Sequence, residues 1–323
     1  MAVNLPKWLL FKFKTLEKKR NPDFLSIIYI VLSTLFFFSN QLIIKYYALH
    51  IFPAQIGLYI MISGVLITVF VQYYLDDIDF TIIKRKEHRY TIIRNVLSFI
   101  GQIIVFFIMI SYLPLSLIFV IYGFTPIIVF ILDNILYKTL IRKSEIFGCI
   151  LSLIGIILVL NPFAEDNKKN DDSSKGDFAK NYATGVFKYI CCFICFLGSC
   201  AFAFANIFVG EIKSINTVVI HFYFSIIGII ATSLGLMLKG EFKNLYLNEI
   251  LLFMGCCGPL IFFFFIFMTR ALMIGKKGRV VVCNNLQLVY SYIFEIIFLQ
   301  EMPTVLKLVG SVLLILGVAK TNM

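Results

Sequence analysis

Four polar residues, Asn284, Gln287, Ser291 and Glu295, stand at i, i+3, i+7 and i+11 in an otherwise apolar stretch. On a helix that spacing puts all four on one face. Two amides and a hydroxyl in a row can hydrogen-bond a small polar solute, and the carboxylate can hold a cation or carry a proton. A second stripe, Tyr122, Thr125, Val129 and Asp133, repeats the spacing. A single ungapped shift of the sequence against itself matches Asp133 to Glu295, Gly148 to Gly310 and Gly155 to Gly317. At a slightly different shift FFFSNQ meets FAFANI, which pairs Asn40 with Asn206. Two related stripes facing one another would line a pocket. The expected solute contacts are Asn40, Gln102, Tyr122, Thr125, Asn206, Asn284, Gln287 and Ser291. The alternative is that such amides only hydrogen-bond neighbouring helices, worth about 0.6 kcal/mol each.

The charged residues suggest gates. Asp133 is expected near the cytoplasmic end of its helix and Glu295 near the exterior end. There they either anchor at the interface, where long polar side chains reach water easily, or control access. In the second case Lys45 would pair with Glu295 and Arg94 with Asp133, and either acid is a candidate carrier of a coupling proton. The remaining polar residues in apolar stretches include His221, Tyr223, Asn285 and Tyr290. They are mostly neutral hydrogen-bonders and aromatic rings. Such a lining suits a neutral or zwitterionic metabolite, because a multiply charged anion would want clustered Lys or Arg. His221 reads as a packing residue rather than a proton relay.

Positioning these residues is the work of a lipid-facing scaffold. The hydrophobic set makes up 60% of 323 residues, charged residues only 15%, and Phe alone contributes 35; the mean hydropathy is +0.92. A soluble core of this size could not hide so much apolar surface. Apolar windows of about 20 residues predict ten spans. They lie near 24–46, 53–75, 91–112, 115–136, 146–162, 185–209, 216–238, 248–272, 278–299 and 303–320. Residues 1–23 read as a short basic amphipathic segment lying on an anionic leaflet. The polar run at 163–184 reads as a flexible linker. It separates a first repeat (24–162) from a second (185–320). Lys18, Lys19, Arg20, Lys84, Arg85, Lys86, Arg89, Lys138, Arg142, Lys143, Lys276, Lys277 and Arg279 fall on one side if the N-terminus is inside, which predicts both termini cytoplasmic.

Five spans per half is an odd number, so the second half must enter the bilayer from the opposite face. Inverted repeats of this kind are the frame on which many secondary transporters alternate access. The stretches RNVLSFIGQIIVFFIMISYLPLSLIFVIYGFTPIIVFIL and YIFEIIFLQEMPTVLKLVGSVLLILGVAK resemble the third and fourth, and the ninth and tenth, helices of the drug/metabolite transporter superfamily, EamA-domain type. The resemblance covers about 24–320. It implies an all-α integral membrane protein of ten helices in two inverted five-helix repeats, a carrier of small organic metabolites. The sequence departs from the family at Thr139, the position matched to Glu301, where first halves often carry Glu.

Other functions lack their chemistry. No GxxxxGK[ST] loop for ATP and no HExxH metal motif occurs, and His50, His88 and His221 are scattered. The eight cysteines sit in apolar runs without the His or carboxylate companions of a metal site. No catalytic residue, metal or cofactor is expected. The +11 charge reflects topology, and no nucleic-acid partner is expected. No channel filter is visible. Expected partners are a small organic solute and the bilayer. Gly148/Gly155 and Gly310/Gly317, two turns apart in each pair, read as packing faces of the fifth and tenth spans, and a homodimer contact there stays open. The second functional reading is a transport-inactive membrane scaffold or receptor-like subunit on the same fold, kept in view by Thr139.

Overall fold

The computed structural model describes residues 22–47, 51, 53–75, 85–103, 120–138, 141–160, 185–213, 215–239, 242–286, 288–290, 293 and 305–322. Among these residues every regular element is helical. In chain order they are α1 (Pro22–Tyr47), α2 (Pro53–Leu75), α3 (Arg85–Ile103), α4 (Thr125–Tyr137), α5 (Lys143–Leu160), α6 (Gly185–Phe208) and α7 (Thr217–Lys239), followed by α8 (Leu247–Leu252), α9 (Gly258–Ile274), α10 (Lys277–Asn284) and α11 (Val305–Asn322). A π-helical turn, Phe253–Cys257, joins α8 to α9. Pro22 and Pro53 open their helices where a missing N–H costs nothing. Among the described residues seven stretches are long and apolar enough to cross a membrane, and α3, α5 and α10 are not among them. Residues such as Leu66, Phe70, Phe193, Ile230 and Leu316 turn outward. In lipid that exposure is the favourable state. The basic N-terminal segment, the 163–184 linker and Thr139 lie outside the described residues.

The chain divides into two compact units. The first runs to Val96 and resumes over Phe208–Lys276; the second takes Leu97–Ile207 and everything from Lys277. Each unit therefore draws helices from both halves of the sequence.

In the first unit α1 lies along α9 through aromatic rings. Phe36 stacks on Phe263 and Phe267, Phe37 meets Phe264, and the Ser33 hydroxyl donates to the Phe264 carbonyl at 2.9 Å. α2 runs along α7, and Gly64 is the point of closest approach. A Cβ there would stand 2.9 Å from Cε1 of His221 and 2.6 Å from Oγ of Ser225. The π turn leaves the Met254 carbonyl outside the regular ladder, and the Ser63 hydroxyl donates to it at 2.6 Å.

In the second unit α5 and α11 cross antiparallel on a glycine seam. A Cβ on Gly148 would lie 2.7 Å from the Gly317 carbonyl, and one on Gly155 would lie 2.7 Å from that of Gly310. The converse holds too: Gly310 faces the Gly155 carbonyl at 2.8 Å and Gly317 that of Gly148 at 2.7 Å. Only backbones without Cβ atoms come this close. The glycine faces are therefore buried within one chain, which removes them as the contact for a second copy. The stretch expected as the fourth span is broken at Gly123 and Phe124 rather than continuous. Pro126 sits in the first turn of α4 and has no N–H to donate to Tyr122, so Gly123 and Phe124 close tight turns onto Val120 and Ile121 instead. α4 ends at Lys138, whose left-handed backbone (φ 52°) lets its N–H cap the Asn134 carbonyl at 2.9 Å.

Candidate functional site

Several buried polar side chains of the first unit converge in its core. Arg94, in the middle of α3, is 2% exposed. One guanidinium nitrogen donates to Oδ1 of Asn95 at 2.7 Å, another reaches Oγ1 of Thr269 at 3.4 Å, and Nε has no partner. The group lies over the Phe265 ring, 4.4 Å from its centroid. Asn95 ties α3 to α7 by donating to the Ile220 carbonyl at 3.0 Å. Next to Ile220, the His221 ring meets Phe262 and Phe265 edge-on, with centroids 5.1 and 5.0 Å away. Nδ1 of His221 lies 3.4 Å from the Ser225 hydroxyl, and its Nε2 has no partner. Asn40, at 1% exposure on α1, also leaves its Oδ1 without a partner.

The second unit handles its charges differently. Asp133 is paired with Lys277 at 3.1 Å, and Nζ of Lys277 also lies 3.8 Å above the Tyr137 ring. Glu145, fully buried, accepts from Nε of Arg279 at 2.9 Å and from the Arg142 backbone N–H at 2.9 Å. Gly278 sits between these two cations with Phe130 packed against its Cα, so α10 enters flush against α4. The neutral groups are used for helix contacts. The Tyr122 hydroxyl donates to the Gly101 carbonyl at 2.6 Å, and Thr125 and Ser199 share a hydrogen bond of 2.9 Å between α4 and α6. Asn206, at 1% exposure on α6, leaves both amide atoms unpartnered, as Asn284 does its Oδ1.

Two of the expected gate residues have partners outside the expected set: Asp133 holds Lys277, and Arg94 meets Asn95, Thr269 and Phe265. The Asp133–Lys277 and Glu145–Arg279 pairs were absent from the expected set. A signal for them exists in the sequence. Asp133, Glu145, Lys277 and Arg279 all fall near the expected cytoplasmic ends of their spans, and comparing depths across helices would have matched them. Thr125, Val129 and Asp133 are all buried and Tyr122 is half-buried, as a one-faced stripe requires. Gln287, Ser291 and Glu295 lie outside the described residues, as do the side chains of Lys45 and Gln102. In the stretch expected as the ninth span, α10 ends in a turn, with the Asn285 N–H donating to the Val282 carbonyl at 3.1 Å.

The profile of the EamA-like transporter family matches residues 24–161 and again 189–323. The chain belongs to that family. As an EamA-like protein with seven described apolar spans it is a multi-pass membrane protein. Solute carrier family 35 member G1 of Homo sapiens is 24% identical over 227 residues, which is 68% of this chain. The chain spans only 58% of the length of that relative. A protein known from its crystal structure superposes with a TM-score of 0.75 over 94% of this chain and 99% of its own, at 11% identity, a likeness of fold alone.

Proposed function

We propose that this EamA-like protein is a secondary transporter that moves a small organic metabolite, neutral or zwitterionic, across its membrane by alternating access. The observation that carries the reading is a set of orphaned amides. Asn40 and Asn206 are the pair matched between the halves, and both are about 99% buried with amide atoms that bond nothing in the protein. Native interiors leave few polar groups unpaired. Two at matched positions suit groups that await a solute or its water. Gln102, Tyr122, Thr125, Asn284, Gln287 and Ser291 complete the proposed contacts, with Lys45, Asp133 and Glu295 at the gates.

The architecture in this reading is ten spans in two inverted repeats with both termini cytoplasmic. The glycine seam supports it. The shift that matches Gly148 to Gly310 and Gly155 to Gly317 exchanges the contact Gly148–Gly317 with the contact Gly310–Gly155. A two-fold axis lying in the membrane plane has that effect on antiparallel helices.

Uptake into proteoliposomes containing the purified full chain, with a panel of neutral and zwitterionic metabolites, tests this. Saturable accumulation with counterflow is expected. Ala at both Asn284 and Gln287 should raise KM several-fold; wild-type kinetics in the double variant would remove the stripe from the site. Glu295→Gln should flatten the pH dependence of uptake if that acid carries a coupling proton, and an unaltered profile eliminates the role. Absence of uptake and of ligand-dependent stabilisation across the panel would favour the scaffold reading.

A further inference from the structure

We propose that the core of the first unit binds the carboxylate of the transported solute, with Arg94 as its cationic ligand and His221 as a second hydrogen-bonding group. The inference rests on the transport reading and names the charge class of the solute.

The case begins with charge balance. A guanidinium 2% exposed inside a membrane protein needs a counter-charge, since an unpaired buried ion is strongly unfavourable. Glu145 supplies one for Arg279 at 2.9 Å. Arg94 has none among the described residues of its own unit. Its contacts are a neutral amide, a hydroxyl at the limit of hydrogen bonding and the face of a phenyl ring. A ring face and neutral acceptors hold a cation without discharging it.

The second observation is the unused hydrogen-bonding capacity around it. Nε of Arg94 and Nε2 of His221 are both buried and both unpartnered. Their side chains are brought together through Phe265, which the guanidinium covers and the imidazole meets edge-on, and through the Asn95–Ile220 bond that fixes α3 against α7. The Arg94 Nε–H, together with the His221 Nε2–H in the tautomer whose Nδ1 accepts from Ser225, supplies donors that an oxyanion would satisfy. Arginine presents its donors in a planar fork that matches a carboxylate.

Charge also selects the ligand. The cluster contains one formal charge, the guanidinium, among otherwise neutral side chains. One cation balances a monocarboxylate or the carboxylate of a zwitterion, and leaves a phosphate dianion or a tricarboxylate uncompensated. The aromatic wall of Phe262 and Phe265 further suits an organic acid with an apolar body.

Thermal unfolding of the purified full-length chain in detergent tests this. The probes are a panel of short monocarboxylates and zwitterionic amino acids, their amides, and inorganic phosphate. At least one carboxylate should raise the melting temperature of the wild type, with no effect of its amide or of phosphate. Arg94→Gln should raise the melting temperature without ligand, because it removes an uncompensated charge, and should weaken the carboxylate effect by roughly tenfold or more in concentration. Arg94→Lys should retain part of the effect, and His221→Phe, which keeps the ring packing, should weaken it. A merely structural arginine predicts the reverse sign: Arg94→Gln unfolds earlier or fails to fold, and either result overturns the proposal. So does an undiminished carboxylate effect in that variant, a preference for phosphate, or no carboxylate effect on the wild type. Stabilisation by a carboxylate without its uptake into proteoliposomes would retain the site and overturn transport, whereas uptake confined to uncharged solutes would do the opposite.

Discussion

The two compact units place ionisable groups in equally apolar surroundings and treat them in opposite ways. In the second, the buried acids Asp133 and Glu145 each hold a cation brought by α10. In the first, Arg94 is as deeply buried and, among the described residues of that unit, meets neutral groups. A satisfied pair fixes helices in register, and its members have little further capacity to bind. An unsatisfied cation contributes no such bond and keeps that capacity. On the proposed reading, the Glu145–Arg279 pair braces its helices, and the core between α3, α7 and α9 takes the solute's carboxylate.

Removing one member of a buried pair gives the largest expected effect. Glu145→Gln leaves Arg279 without its counter-charge and should lower stability by about 3–5 kcal/mol, seen as an earlier thermal unfolding in detergent. Asp133→Asn should act in the same direction through Lys277, cushioned by the Tyr137 ring beneath the ammonium. Replacing both members of the Glu145–Arg279 pair by Gln and Met should recover most of the loss. If the single variants proved as stable as the wild type, or the double no better than the singles, the contrast with Arg94 would collapse.

How much of this could be read from the chain depended on the range of each interaction. The seven described apolar spans were readable because lipid imposes a length and a polarity on each. The glycine seam was readable because Gly148, Gly155, Gly310 and Gly317 recur at a fixed interval in both halves. The one-faced stripe from Tyr122 to Asp133 followed from helical spacing, although Pro126 breaks the helix beneath it. The ion pairs were missed because they join residues far apart in sequence. Asp133 and Lys277 share an expected depth but stand 144 residues apart, so no local pattern joins them. The π turn at Phe253–Cys257 has a local signal in Pro259, which has no N–H to donate, but the Ser63 hydroxyl that takes the Met254 carbonyl comes from another helix. The orphaned state of Asn40, Asn206 and Arg94 is likewise a property of packing.

A smaller effect sharpens the comparison at the level of backbone contacts. Both units use glycine at a helix crossing, but against different neighbours. A Cβ on Gly155 would meet backbone atoms, the Leu314 nitrogen at 2.6 Å and the Gly310 carbonyl at 2.7 Å. Neither can move without parting α5 from α11. A Cβ on Gly64 would meet the Ser225 hydroxyl and the His221 ring edge. Both belong to side chains, and the hydroxyl can rotate away. Gly155→Ala should therefore cost about 1–3 kcal/mol, the usual range for overpacking, and Gly64→Ala less. Because Gly64→Ala presses on His221, it should also weaken the carboxylate effect on melting while leaving most of the stability in place. Gly155→Ala should do the reverse, lowering the melting temperature and sparing the carboxylate response. Equal losses of stability from the two alanines, with the carboxylate response unchanged in both, would mean that the two crossings are alike and that the His221 side of the first core is packing only.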